Sequence, residues 1–280
     1  MMKWMMVFCL WVNVVWAEPE DATLVSQALG GSAFTQVVIS APVAVQIVQA
    51  EQYGVWLQAP SALHSALRLK QAGARLKVHW QPDARVKALA NTSDVKIKIA
   101  LPRLDLVEML GSGNLYLAAM TQPKLHIINR GSGEVYSTNL TTEALELSLQ
   151  GSGDIKGQIW QVNTLMINSS GSADVELGRL TAERLNANSA GQGDIEIYEA
   201  SSVAKLNLQM LGSGDFEAPA LVVDDAVIAL LGSSDVTLTV AQHLDANILG
   251  SGDVRYAGNP EVNARQLGSG SVKPLEDETL

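Results

Sequence analysis

The sequence predicts an all-β fold, a single-stranded parallel β-helix of about ten coils behind an N-terminal β-rich cap. Two observations lead there. A Gly-Ser-Gly-Asp-type motif recurs along the chain, and the residues ahead of each copy alternate between apolar and polar. A third is length. A unit of about twenty residues is too short for a helix-pair repeat and about half a four-stranded propeller blade.

The motif glycines are Gly111, Gly131, Gly151, Gly171, Gly191, Gly212, Gly232, Gly250 and Gly268, at intervals of 20, 20, 20, 20, 21, 20, 18 and 18 residues. A degenerate copy, Asn-Thr-Ser-Asp at 91–94, stands twenty residues before the first. The first position is glycine in all nine copies, so the backbone there needs either a positive φ or an approach too close for a Cβ. Ala173 and Ser234 replace glycine at the third position, so small size is the requirement at that place. The fifth position is always apolar, from Leu115 through Ile155 to Val272. A small-residue turn that leads into alternation is a strand start.

The second half of the repeat agrees. Six residues before each later glycine stand Leu125, Leu145, Leu165, Leu185, Leu206, Ala226, Leu244 and Val262, and two residues on come Ile127, Leu147, Ile167, Ala187, Leu208, Ile228, Ala246 and Ala264. Period two marks a strand buried on one face. No unit buries that face alone, but stacked units share one core. Leucine-rich repeats are close in length, yet their Leu/Asn signature is missing. Parallel crossovers are right-handed as a rule, which sets the expected hand.

Before the repeats, residues 34–60 alternate like strands broken by turns at Ala41-Pro42 and at Gln52-Tyr53-Gly54. Pro60 to Leu67 allows a helical turn, and 67–80 reads as a hairpin about Gly73. Such a section is suited to cap the open first coil. The expected organisation is a signal peptide at 1–17, a linker at 18–33, one domain at 34–275 and a polar tail at 276–280. Within the domain, 34–90 form the cap and 91–275 the repeat coils.

Residues 1–17 have the form of a secretory signal, with Lys3, an apolar run from Trp4 to Val15, and Ala17 at the cleavage position. A buried N-terminal helix is the alternative, disfavoured by the acidic, proline-containing sequence that follows. Phe8 before Cys9 argues against a lipid anchor. The run is short for a membrane span and nothing later approaches one. Cleavage leaves 18 basic against 29 acidic residues, net −11, and no cysteine. An acidic chain without clustered Lys or Arg excludes a nucleic-acid partner and disfavours an anionic membrane.

At this point the chain resembles the bacterial "head GIN" family, a domain of unknown function described as an adhesin head. The resemblance lies in the opening 34–49 ("FTQVVISAPVAVQIVQ"), the transition 95–117, the GSGD-type run and the close at 256–272. It covers about residues 34 to 274. It implies a single-stranded right-handed β-helix, export to the periplasm or cell surface, and no established enzymatic activity. A C-terminal membrane barrel, as a complete autotransporter carries, is not expected before Leu280.

The fourth motif position holds the candidate chemistry: Asn114, Glu134, Asp154, Asp174, Asp194, Asp215, Asp235, Asp253 and Ser271. Two roles fit the seven acids. One is a turn cap, each carboxylate accepting nearby backbone N–H groups. The other is a calcium strip. Calcium takes six to eight oxygens, and one carboxylate per coil falls short of that, so the cap is favoured. Adjacent carboxylates also have the spacing of a retaining glycosidase pair. No copy is distinguished from its neighbours, however, as acid and base must be.

The corner serines (Ser112, Ser132, Ser152, Ser172, Ser213, Ser233, Ser251 and Ser269) read as a ladder, because His64, His79, His126 and His243 fall at unrelated positions. No zinc motif and no phosphate loop occurs. Trp56, Trp80 and Trp160 are candidates for stacking on sugars, with partial burial at a loop the favoured place for Trp160. The expected function is a non-catalytic adhesin or cell-envelope scaffold, not an enzyme, without a cofactor unless calcium. Its ligand is an unidentified surface component, with glycan one candidate. A carbohydrate-active β-helix enzyme is the alternative, and oligomeric state is not legible.

Overall fold

A computed structural model describes residues 23–24, 33–81 and 95–275. The expected signal peptide, most of the linker, the copy at 91–94 and the tail at 276–280 lie outside the described residues.

Stacked coils are the architecture, as the period predicts. Strands Val135–Leu149, Ile155–Ser169 and Val175–Ser189 pair in parallel at a constant offset of twenty residues. Nine motif corners enclose eight repeat coils, roughly 40 Å of rod at the spacing of hydrogen-bonded strands. In Val135–Leu149 the inward residues are 135, 137, 140, 142, 145, 147 and 149. The alternation slips at 138–139, at 143–144 and at 150–152, where successive side chains face outward. Three slips per coil make three flat faces around one apolar core.

The core consists of the predicted columns. Leu125, Leu145, Leu165, Leu185, Leu206, Ala226 and Leu244 are all buried, as are Ile127, Leu147, Ile167, Ala187, Leu208, Ile228 and Ala246. The last rungs, Val262 and Ala264, are exposed because among the described residues their strand pairs on one side alone. The 21-residue interval is a bulge at 198–200, where Leu177 still faces Ile197 but Thr181 faces Ser202. The first 18-residue interval arises from register shifts between Ala218 and Asp225, which remove a corner.

Motif glycines are explained by crowding. Among them only Gly268 has a positive φ. A Cβ on any of the nine would come closer than 3.0 Å to the carbonyl oxygen of the residue one coil earlier. Of the two explanations offered by the sequence, the close approach holds. The third-position residues point inward and are buried. Gly73, by contrast, needs its left-handed φ of +58° to turn the hairpin between Leu67–Ala72 and Arg75–Trp80.

The N-terminal end is not built in chain order. Strand Gln36–Ser40 lies between Arg75–Trp80 and Leu106–Met109, parallel to both. Ala44–Gln49 likewise lies between Lys96–Leu101 and Leu115–Leu117. The corner at Ala41-Pro42-Val43 therefore sits directly under Gly111 and Gly113. Outside this stack, Gly54–Gln58 and Leu67–Ala72 run antiparallel along the outermost coil, and Thr23–Leu24 pairs with Gly54–Gln58. A 3-10 turn at Ser61–Ala66 buries Leu63 and Ala66 against the end of the core.

Candidate functional site

The acid column lies on one flat face, at the turn from the Gly-Ser-Gly corner into the first strand of each coil. Every member is half-buried. The backbone N–H of Glu134, and of every rung from Asp174 on, donates to the side chain one coil earlier, a different arrangement from the local turn cap that the sequence favours. Asp174 N–H donates to Asp154 Oδ1 at 3.0 Å, Asp194 to Asp174 at 2.9 Å, and Asp215 to Asp194 at 2.7 Å. Asp235 donates to Asp215 at 2.7 Å, Asp253 to Asp235 at 2.9 Å, and Ser271 to Asp253 at 2.9 Å. At the other end the Glu134 N–H donates to Asn114 Oδ1 at 3.1 Å. An uncharged amide oxygen therefore serves the same rung. Glu134 is one methylene longer, and its carboxylate accepts from the Tyr136 hydroxyl instead.

This ladder ties one carboxylate oxygen of each aspartate to the backbone. Charge repulsion still acts along it. Asp174 has its pKa raised, by burial first and then by Asp154, Asp194 and Glu176, against the lowering effect of the Asp194 N–H. Asp253 at the end is shifted the other way, held down chiefly by the Ser271 hydroxyl at 2.8 Å.

Two residues further on, a second outward column shares the face: Tyr116, Tyr136, Lys156, Glu176, Glu196, Glu217, Thr237 and Arg255, in parallel register. The sequence reading missed this column because its residue types change from coil to coil. The rings of Tyr116 and Tyr136 stack 5.1 Å apart and 7° from parallel. Burial and Glu134 push the Tyr136 phenol pKa up. Lys156 pairs with Glu176 at 2.9 Å, and the Tyr198 hydroxyl donates to Glu176 at 2.9 Å. Glu196 has a raised pKa, from burial and then from Glu176 and Glu217 on either side. Among the described residues neither Glu196 nor Glu217 has an ion-pair partner. Together with Asp174, Asp194 and Asp215 these glutamates form an acidic panel two columns wide and three coils high.

Other candidates fall elsewhere. The corner serines are exposed and form a ladder. Ser148, which is not among them, lies 2.9 Å from His126 Nε2, and Glu146 approaches the same nitrogen at 3.8 Å. A nucleophile–base–acid relay needs the acid on the other ring nitrogen, so this is a polar surface cluster. An open depression of about 420 Å³ beside the corner is lined by residues 170–172 and 190–192 with Gly212 and Ser213, none of them ionisable. Among the described residues no group of three His, Cys, Asp or Glu side chains converges to hold a metal ion.

The tryptophans separate. Trp56 is half-buried with the Lys98 ammonium 5.7 Å from its ring centre, and Trp80 is half-buried at the end of its strand. Trp160 corrects the sequence reading. It is neither at a loop nor available to a sugar, but is fully buried in the column of Leu140 and Leu180.

A family model described as "Putative auto-transporter adhesin, head GIN domain" matches residues 33–205 and 196–260. No curated protein matches the sequence. Among solved structures, a "Putative lipid binding protein" from Parabacteroides distasonis superposes with a TM-score of 0.62 at 22% identity, over 88% of this chain and 94% of that one. A "putative adhesin" from the same species gives 0.59 at 15% identity, over 87% and 93%. A "putative adhesin" from Parabacteroides merdae gives 0.54 at 16%, over 88% and 93%. At such identities the structural likeness speaks for the fold, while the sequence match covers most of the solenoid. The chain belongs to the head GIN domain family of "putative auto-transporter adhesins".

Proposed function

We propose that this protein is an exported, non-catalytic binding rod, adhesin-like, that meets a surface or cell-envelope ligand with its acidic face. The observation that carries this reading is the Glu196–Glu217 pair. The aspartate ladder supports the backbone, but Glu196 and Glu217 have no ion-pair partner among the described residues and stand opposite each other in adjacent coils. Like charges directly opposite on neighbouring strands oppose folding. A protein that keeps them gains something outside the fold. The neighbouring Tyr116–Tyr136 stack gives the same face an aromatic end on which a sugar ring can lie.

A catalytic reading has less support. The rod offers flat faces, and its open depression has no acid, base or activated nucleophile in its lining. Export rests on residues 1–17 and the family's adhesin description. Among the described residues no helix is long and apolar enough to cross a membrane.

The test is a binding screen of the purified protein against glycans and cell-envelope fractions, with and without calcium, beside the variant Glu196→Gln/Glu217→Gln. Loss of a ligand in the variant without a fall in melting temperature is the expected result, since removing the opposed charges relieves repulsion. Equal binding by both would remove the acidic face from the reading, and cleavage of a polysaccharide would replace it with an enzyme. Calcium that changes neither melting nor binding would assign the aspartates to structure alone.

A further inference from the structure

The two ends of the rod are finished differently. At the N-terminal end, strands Gly54–Gln58 and Leu67–Ala72 lie antiparallel over the outermost coil and the 3-10 turn closes the core. At the other end, strand Glu261–Gln266 pairs with Val236–Ile248 on one side, and all six of its residues are exposed. Val262 and Ala264 continue the buried columns of Leu244 and Ala246, yet they stand open, Val262 at 38%. Beside them Leu267 is 72% exposed. Among the described residues its other backbone edge is unpaired, and such an edge is a template for another strand.

The neighbouring terminal strand Val272–Pro274 is guarded. It carries Lys273 and Pro274, a charge and a missing N–H of the kind that keeps edges unpaired. Glu261–Gln266 has no Pro within it, and its two charges, Glu261 and Arg265, are of opposite sign. Its sequence, Glu-Val-Asn-Ala-Arg-Gln, is complementary to itself when reversed about Asn263. Glu261 then faces Arg265, Val262 faces Ala264, and Asn263 faces its own copy. The faces also agree. Val262 and Ala264 belong to the inward set and Glu261, Asn263 and Arg265 to the outward set, and opposed residues of an antiparallel pair share a face. Among the described residues neither Glu261 nor Arg265 has an ion-pair partner in its own chain.

We infer that the C-terminal coil is a docking edge for a second copy of this chain, paired antiparallel through Glu261–Gln266 about a two-fold axis at Asn263. Two such rods join end to end into one longer rod. The two Glu261–Arg265 ion pairs set the register, while Val262 and Ala264 of each copy close the open end of the other's core. A two-fold contact of this kind is closed, so the assembly stops at two.

Sedimentation of the purified protein over a range of concentrations reads the dimer directly. Arg265→Glu and Glu261→Arg each place like charges across the axis, and each should weaken the dimer about tenfold or more. The double reversal Glu261→Arg/Arg265→Glu restores both pairs and should restore the dimer. All four charges are on the surface, and circular dichroism checks that each variant is folded. A monomeric wild type overturns the inference. So does a dimer that survives both single reversals, which would place the contact elsewhere. Failure of the double reversal to recover the dimer would overturn the proposed register.

Discussion

The indole Nε1–H of Trp160 donates to the Ser137 hydroxyl at 2.8 Å, across one coil spacing in the middle of the core. Three changes from the repeat pattern make this contact. Trp160 replaces the leucine of its column, Ser137 replaces an inward apolar residue, and Gly157 vacates the space under the ring. A Cβ on Gly157 would lie 2.6 Å from Nε1 of Trp160. Neighbours in the Ser137 and Gly157 column are Leu117 and Leu177.

These residues should behave as one unit in stability measurements. Trp160→Leu leaves a void over Gly157 and should cost about 2–4 kcal/mol. Ser137→Ala strands a buried donor and should cost about 1–3 kcal/mol. Gly157→Leu alone overpacks the ring. Trp160→Leu combined with Gly157→Leu restores the leucine columns, so urea unfolding should show a loss well below the sum of the single changes.

Gly151→Val tests the corner. The branched side chain would press on the Gly131 carbonyl one coil below, in the middle of the stack where neither coil can move away. A loss of about 3 kcal/mol or more, or failure to fold, is expected in chemical denaturation. Ala173→Gly, at the tolerant third position, should change stability by about 1 kcal/mol or less.

In the aspartate ladder, oxygen matters more than charge. Asp194→Asn keeps an acceptor for the Asp215 N–H, just as Asn114 does for Glu134, and it relieves repulsion. It should be neutral or mildly stabilising at neutral pH. Asp194→Ala leaves that N–H without its partner and should cost about 1 kcal/mol. Thermal melts of the two variants side by side give the comparison.

The acidic panel sets a pH dependence. Asp174 and Glu196 have folded pKa values above their ordinary ones, so the native state binds protons more readily than the unfolded chain. Their ionisation opposes folding, with no cost below the ordinary carboxylate range and the full cost above the raised values. Through that window the melting temperature should fall as pH rises, and Glu196→Gln should flatten the fall. Asp253, shifted down, contributes oppositely: its stabilisation is present above the ordinary value and is lost as pH falls through the lowered one.

Much of this was legible in residue order. The period and the inward Leu and Ile columns specify stacked coils, because each strand pairs with the same strand twenty residues away. The first-position glycines marked the tight corner, though only the stack shows that a carbonyl below the Cβ excludes other residues. Trp160 was misread because its column mates Leu140 and Leu180 do not stand out as a repeat signature, and a tryptophan looks surplus until Gly157 and Ser137 are seen beneath it.

The sequence by itself determined the coil, its glycine corner, its inward columns and the acid ladder's position, since all of these repeat and a repeat needs only its own period to specify its neighbour. The tertiary structure alone decided three things that lie outside the period. It inserted Gln36–Ser40 and Ala44–Gln49 between the strands Arg75–Trp80 and Lys96–Leu101 and the first motif coil, through pairs such as Val45 with Ile97 that no repeat announces. It separated the carboxylates tied to backbone from Glu196 and Glu217, which have no ion-pair partner among the described residues, because hydrogen bonds depend on reach across a coil. And among the described residues it left Val262 and Ala264 exposed, since a column continues in sequence whether or not a neighbouring strand buries it.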